Sequence, residues 1–178
     1  GGAAIGGEAS GWFETITTKR ERVAMRGPEF LEQLERALPG AVSGSRLDVI
    51  DPWIEVDSAR LADVCGWLKG SCGVPFDSLQ CITAVDWFEP DAKKAAKVSW
   101  EPHIELVYHL WSTVARVSLV VKTKVPRWKD GVPGRLPEVP SVCAVWRGAN
   151  WHEREVYDLS RSEEHTSELQ SRVDISYA

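Results

Sequence analysis

The chain has 178 residues, 43% hydrophobic and 26% charged, enough for one domain with a sizeable core. A net charge of -5 disfavours general nucleic-acid binding, and no apolar run approaches the roughly 20 residues that cross a bilayer. The opening residues, GGAAIGGEASGWF, lack the charged start and apolar core of a secretory signal, so a link to a membrane is expected through partner proteins rather than direct insertion.

Met25 is the single methionine. Residues 1–24 are rich in Gly, Ala and Thr without a clear period, and are expected to be a disordered or non-native extension before a native start at Met25. Pro28 and Glu29 then open a helix whose apolar stripe is Phe30, Leu31, Leu34 and Leu38, and Pro39-Gly40 stop it. Arg46–Ile50 and Trp53–Val56 are short strand candidates separated by Asp51-Pro52. Asp57 or Ser58 caps a second helix, with Leu61, Val64, Cys65 and Leu68 at helical spacing and Gly70 as its stop. Phe76 to Trp87 holds a strand centred on Ile82–Val85. In Ile104–Trp111 and again in Arg116–Val121 apolar residues fall on alternate positions, with a turn near Ser112-Thr113, which predicts a hairpin.

The order is therefore helix, two strands, helix, three strands. It predicts an α+β, two-layer domain over residues 25–148, a mixed sheet with helices on one face. Residues 123–140 hold Pro126, Pro133, Pro137 and Pro140 and read as a long extended loop. Lys122, Lys124, Arg127, Lys129 and Arg135 bias this region positive; it is either a solvated loop or a docking strip for an acidic partner. The segment GVPG at Gly131–Gly134 lacks the context and the lysine of a phosphate loop.

Cys65, Cys72, Cys81 and Cys143 form no C-x-x-C pair and have no histidine at zinc-site spacing, so they read as buried reduced thiols. Nine tryptophans are many for this length, and Trp serves cores and interfaces alike.

Residues 149–160 carry the densest chemistry. Asn150 followed by Glu153 resembles a capping box, and Arg154 and Asp158 stand at i,i+4. Three readings compete. One is a solvated, capped helix. Another is a metal or acid/base site on His152, Glu153, Glu155 and Asp158, although a bundle di-metal site wants Glu-x-x-His twice and this chain has one reversed pair. The last is a subunit interface in which arginine and carboxylates pair across to a neighbour and Trp151 or Tyr157 anchors.

The stretch PSVCAVWRGANWHEREVYDL, Pro140 to Leu159, resembles the signature of the C subunit of the bacterial NADH-quinone oxidoreductase, respiratory complex I. The motif E-R-E-x-x-D falls on Glu153, Arg154, Glu155 and Asp158. FLEQLERALPG, ITAVD ending at Asp86, ELVYHL and VPSV also resemble the family, in the same order, over residues 29–159. Ser160-Arg161 departs where the family continues with Phe-Gly. Cys143 stands where Thr is common, and Arg147 where Pro is common.

The resemblance implies a non-catalytic subunit that scaffolds the quinone module. It implies no cofactor on this chain, in a complex that carries FMN and iron–sulfur clusters and uses NADH and quinone. The implied partners are the B and D subunits and the ferredoxin-like subunit, at the cytoplasmic face of the bacterial inner membrane. The implied interface residues are Trp151, Glu153, Arg154, Glu155, Tyr157 and Asp158. Related subunits occur in membrane-bound nickel–iron hydrogenases and other dehydrogenases, which stay open as an alternative, as does a small stand-alone metal-dependent enzyme using His152 and Glu155. Finally, RSEEHTSELQS, Arg161 to Ser171, resembles the in-frame translation of a widely used sequencing adapter. Residues 161–178 are thus expected to be an artefactual tail that interrupts the charged helix.

Overall fold

The computed structural model describes residues 28–132, 135, 137–161 and 176–177. The expectations for the 1–24 extension, for a start at Met25 and for most of the 161–178 tail fall outside these residues.

Helix α1 (Pro28–Ala37) buries Phe30 and Leu34, with Leu31 and Leu38 packed beside them. It ends where Gly40 takes a left-handed φ of 70°, and the Gly40 N–H donates to Glu35 Oε1 at 2.8 Å. Strand β1 is Val42–Arg46, not Arg46–Ile50 as its apolar residues suggest. It pairs antiparallel with β2 (Trp53–Val56), Arg46 opposite Trp53, so residues 47–52 become the connection. Leu47 dips into the core while Ile50 is 88% exposed. The sequence VSGSR has no apolar alternation and only Val42 as a strong strand former, and its pairing with β2 holds it extended.

Asp57 caps a short 3-10 turn through the Ala59 N–H and leads into α2 (Leu61–Gly70). Strand β3 (Ser78–Trp87) pairs antiparallel with β4 (His103–Ser112), and β4 with β5 (Val117–Pro126). A four-residue helix, α3 (Ala92–Ala95), sits between β3 and β4. Beyond β5 come β6 (Glu138–Val139) and α4 (Ala149–Arg161), and a two-residue strand β7 (Ser176–Tyr177) lies parallel to β6.

The main sheet has the order β1-β2-β5-β4-β3, with β2 and β5 parallel and the other neighbours antiparallel, which makes it mixed. Ile54, Ile82, Ile104, Leu106, Tyr108, Leu119 and Val121 share one core with residues of α1, α2 and α4. The other sheet face carries Trp53, Glu55, Glu105, Val107, Val120 and Lys122 and lies outside that core. This is the expected α+β domain, a mixed sheet with its longer helices on one face. Among the described residues no helix is long and apolar enough to cross a membrane.

Candidate interaction surface

The path to α4 begins at the ends of β3 and β5. Asp86 lies opposite Ile104 on β4, and Ile104 lies opposite Val125 on β5. Arg127 is two residues beyond Val125, so it leaves the sheet on the same side as Asp86. Arg127 Nε reaches Asp86 Oδ1 at 2.9 Å and Nη2 reaches Oδ2 at 2.8 Å. The Arg127 side chain is 9% exposed, and its guanidinium carbon lies 3.9 Å from the Phe88 ring centroid. This fork ties the loop after β5 to the tip of β3.

The structure favours the solvated-loop reading of that stretch. Each of its expected cations has a carboxylate of this chain: Lys122 with Glu105 at 3.6 Å, Lys124 with Glu55 at 2.8 Å, and Arg127 with Asp86. Lys129 meets Glu138 at 2.8 Å, and Arg135 meets Asp130 at 2.7 Å. A strip whose charges are already matched offers little to an acidic partner.

Residues 141–148 then clamp to the core. Val142 and Ala149 are fully buried, and the Trp146 Nε1–H donates to the Phe76 carbonyl at 3.1 Å. Lys69 Nζ donates to the Val145 carbonyl. Helix α4 starts at Ala149, so Asn150 is an exposed first-turn residue rather than the cap. Glu153 does not fold back on Asn150. Its Oε1 accepts from the Val142 N–H and its Oε2 from Ser141 Oγ, both at 2.8 Å, and Cys143 Sγ lies 3.1 Å from Oε2. Ala149, Glu153 and Val156 recur at i, i+4, i+7 and form the inward face of α4. Glu153 is 5% exposed. The signature carboxylate therefore locks the preceding PSVC turn to the helix. Burial pushes the Cys143 thiol pKa up, and the Glu153 carboxylate adds to this against the opposing Ser141 hydrogen bond.

Trp151, Arg154, Glu155 and Asp158 occupy i, i+3, i+4, i+7 and are exposed as one stripe. Trp151 is 70% exposed, and the Arg154 guanidinium lies 5.4 Å from its ring centroid. Arg154 therefore takes Trp151, and no ion pair with Asp158 forms among the described residues. Tyr157 and His152 are half-buried at the flanks. Of the six expected interface residues, four make the outward stripe, Tyr157 borders it and Glu153 supports it from beneath.

Among the described residues, no group of three His, Cys, Asp or Glu could hold a metal ion, so His152 and Glu155 gain no further ligand. The cysteines are all free, but only Cys65 and Cys72 are buried; Cys81 and Cys143 are partly exposed, contrary to the all-buried expectation. Burial pushes the Cys65 thiol up to about 12. Sequence reasoning missed the Asp86–Arg127 fork. The signal for it is the register of two consecutive hairpins, which brings the ends of β3 and β5 to one side of the sheet.

The family described as respiratory-chain NADH dehydrogenase, 30 Kd subunit, matches residues 54–160. The NADH-quinone oxidoreductase C subunit of Roseiflexus castenholzii is 33% identical over 137 residues, 77% of this chain and 69% of that one. The F(420)H(2) dehydrogenase C subunit of Methanosarcina mazei is 33% identical over 132 residues, 72% of this chain and 70% of that one. A chain from the membrane-bound sulfane sulfur reductase, an archaeal respiratory membrane complex, shares the fold. Its TM-score is 0.56 at 23% identity, over 83% of this chain and 80% of that one. The matched span runs from β2 through the clamped PSVC turn to the exposed stripe of α4, and the chain belongs to the respiratory-chain NADH dehydrogenase 30 Kd subunit family.

Proposed function

We propose that this chain is a non-catalytic structural subunit of NADH-quinone oxidoreductase that scaffolds the quinone-reducing module. It carries no cofactor itself. The complex passes electrons from NADH through FMN and iron–sulfur centres to quinone and couples this to proton translocation. The partners are the B and D subunits and the ferredoxin-like subunit, at the cytoplasmic face of the bacterial inner membrane, where protein contacts hold the chain.

The observation that carries this reading is the outward stripe of α4. Trp151 is 70% exposed and has Arg154 over its ring, on a helix whose other face is fixed to the core. A rigidly mounted Trp–Arg pair is the kind of anchor that dominates interface energetics. Trp151→Ala or Arg154→Ala should each weaken assembly by about 2 kcal/mol, roughly 30-fold. Retention in complexes purified through the B and D subunits measures this. Undiminished retention of both variants would rule the stripe out as the interface.

A second reading keeps the role and changes the complex. The match to the Methanosarcina mazei F(420)H(2) dehydrogenase protein favours it, because that protein is as similar to this chain as the Roseiflexus one. Identifying the electron-input subunits that co-purify separates the two.

A further inference from the structure

Strand β1 is one edge of the main sheet, and among the described residues its one neighbour is β2. At the opposite edge α4 packs against β3. Beside β1 lies a groove of about 390 Å³, walled by Leu31, Glu32 and Glu35 of α1 and by the consecutive β1 residues 42–45. Successive side chains of a strand point to opposite faces. A groove that touches four consecutive residues therefore runs along the margin of the strand rather than over one face. The free backbone N–H and C=O groups of an edge strand point into that margin and fit an extended backbone. Ser43, Gly44 and Ser45 are small, and VSGSR has no lysine or proline to block the approach. The register with β2 is irregular at Val42–Gly44 and regular over Gly44–Arg46, so an added ladder would be short. Side-chain contacts must then supply much of its hold.

The α1 wall sets the sign of those contacts. Glu29, Glu32 and Glu35 stand at i, i+3 and i+6 and are all exposed. Arg36 is the one cation of α1, and it lies 3.6 Å from Glu32. Glu35 accepts the Gly40 N–H, which holds its carboxylate at the end of the helix without neutralising the charge. Three carboxylates thus share one guanidinium, and no cation lines the groove. In the loop after β5, by contrast, each basic residue has a carboxylate of its own. An excess of negative charge beside a strand edge is complementary to a basic segment.

We propose that this groove, separate from the α4 stripe, receives an extended, Lys- or Arg-bearing segment of a neighbouring protein subunit. Its backbone adds to the sheet along Gly44–Arg46, its basic side chains meet Glu32 and Glu35, and an apolar one packs on Leu31 and Val42. The proposal rests on the reading of this chain as a subunit of a larger assembly.

The test is hydrogen exchange over residues 42–46, read by mass spectrometry in the intact purified complex and in the isolated chain. Beside it stands the retention of a Glu32→Lys, Glu35→Gln double variant in the complex. The glutamine keeps an acceptor for the Gly40 N–H, so the turn after α1 is preserved. Exchange over 42–46 should be about tenfold slower in the complex, and the variant should be retained about tenfold less than wild type. Equal exchange in the two samples overturns the proposal, and slow exchange in both would assign the groove to a segment of this chain. Full retention of the variant overturns it as well, because the carboxylates then recognise nothing. So does protection that grows with the concentration of the isolated chain, which would seat a second copy on β1. A wild-type chain that co-purifies with no other subunit overturns this proposal and the subunit reading together. A co-purifying chain whose β1 stays unprotected overturns this proposal alone.

Discussion

Glu153 shows how much one buried side chain can fix. At 5% exposure its carboxylate has lost most of its water, and the Val142 N–H and Ser141 hydroxyl replace it. Glu153→Ala would leave the buried Val142 N–H without an acceptor, at a cost of about 1–3 kcal/mol. Urea unfolding of the isolated chain measures this; a shift no larger than that of Glu155→Ala would show that the clamp contributes nothing. Burial holds the Cys65 thiol at about 12, so it stays protonated at neutral pH. In the native chain at pH 8, Cys65 should react with a thiol reagent only through unfolding, well after the partly exposed Cys81; equal rates would contradict the buried placement. At Glu55, desolvation raises the pKa, but the Lys124 hydrogen bond and charge, with Ser43 and Lys122, outweigh it and hold the carboxyl below its usual range. A depressed carboxylate pKa stabilises the fold above the unfolded-state value of about 4.3, and that contribution is lost as pH falls through the folded-state pKa. The stability gap between wild type and Lys124→Met should therefore be flat above about pH 5 and shrink below about pH 4. A gap that persists unchanged at pH 3 would assign it to packing of the lysine stem.

At the scale of elements, the Asp86–Arg127 fork joins the tip of β3 to the loop that leads to α4. Arg127 is 9% exposed but the Asp86 side chain is 32% exposed, so solvent screens part of the pair. Arg127→Ala is expected to cost about 1–3 kcal/mol, less than a fully buried pair, and to raise amide exchange across 129–140 while β4 stays protected. Uniform exchange across both segments would show that the fork is not a local tie. Helices α1 and α2, strand β2 and the β4–β5 hairpin were legible because each carries its own periodicity, such as Phe30, Leu34 and Leu38 or Ile104, Leu106 and Tyr108. Strand β1 was not, because VSGSR owes its extension to β2. The N-terminus of α4 lies two residues before the start that the Asn150–Glu153 spacing suggests, because that spacing mimics a local box while the carboxylate serves residues 141–143.

For the whole molecule, one core joins α1, α2 and α4 to the sheet, so unfolding should be a single event. Ile54 is fully buried on β2, the strand between β1 and β5. Ile54→Ala should cost about 2–5 kcal/mol and shift the circular dichroism and tryptophan fluorescence transitions together; transitions that separate would show two independent units. The sequence by itself determined the class of fold, the order of its main elements and the kinship carried by Pro140–Leu159, because periodicity and motif are written in adjacent residues. Only the tertiary structure decided the strand order with its parallel β2–β5 pair, and that the basic loop neutralises itself. It also decided that Glu153 turns inward while Trp151 and Arg154 turn out. Those outcomes depend on contacts between residues far apart in the chain, and local spacing does not encode which face of a helix meets the core or which carboxylate reaches a given lysine.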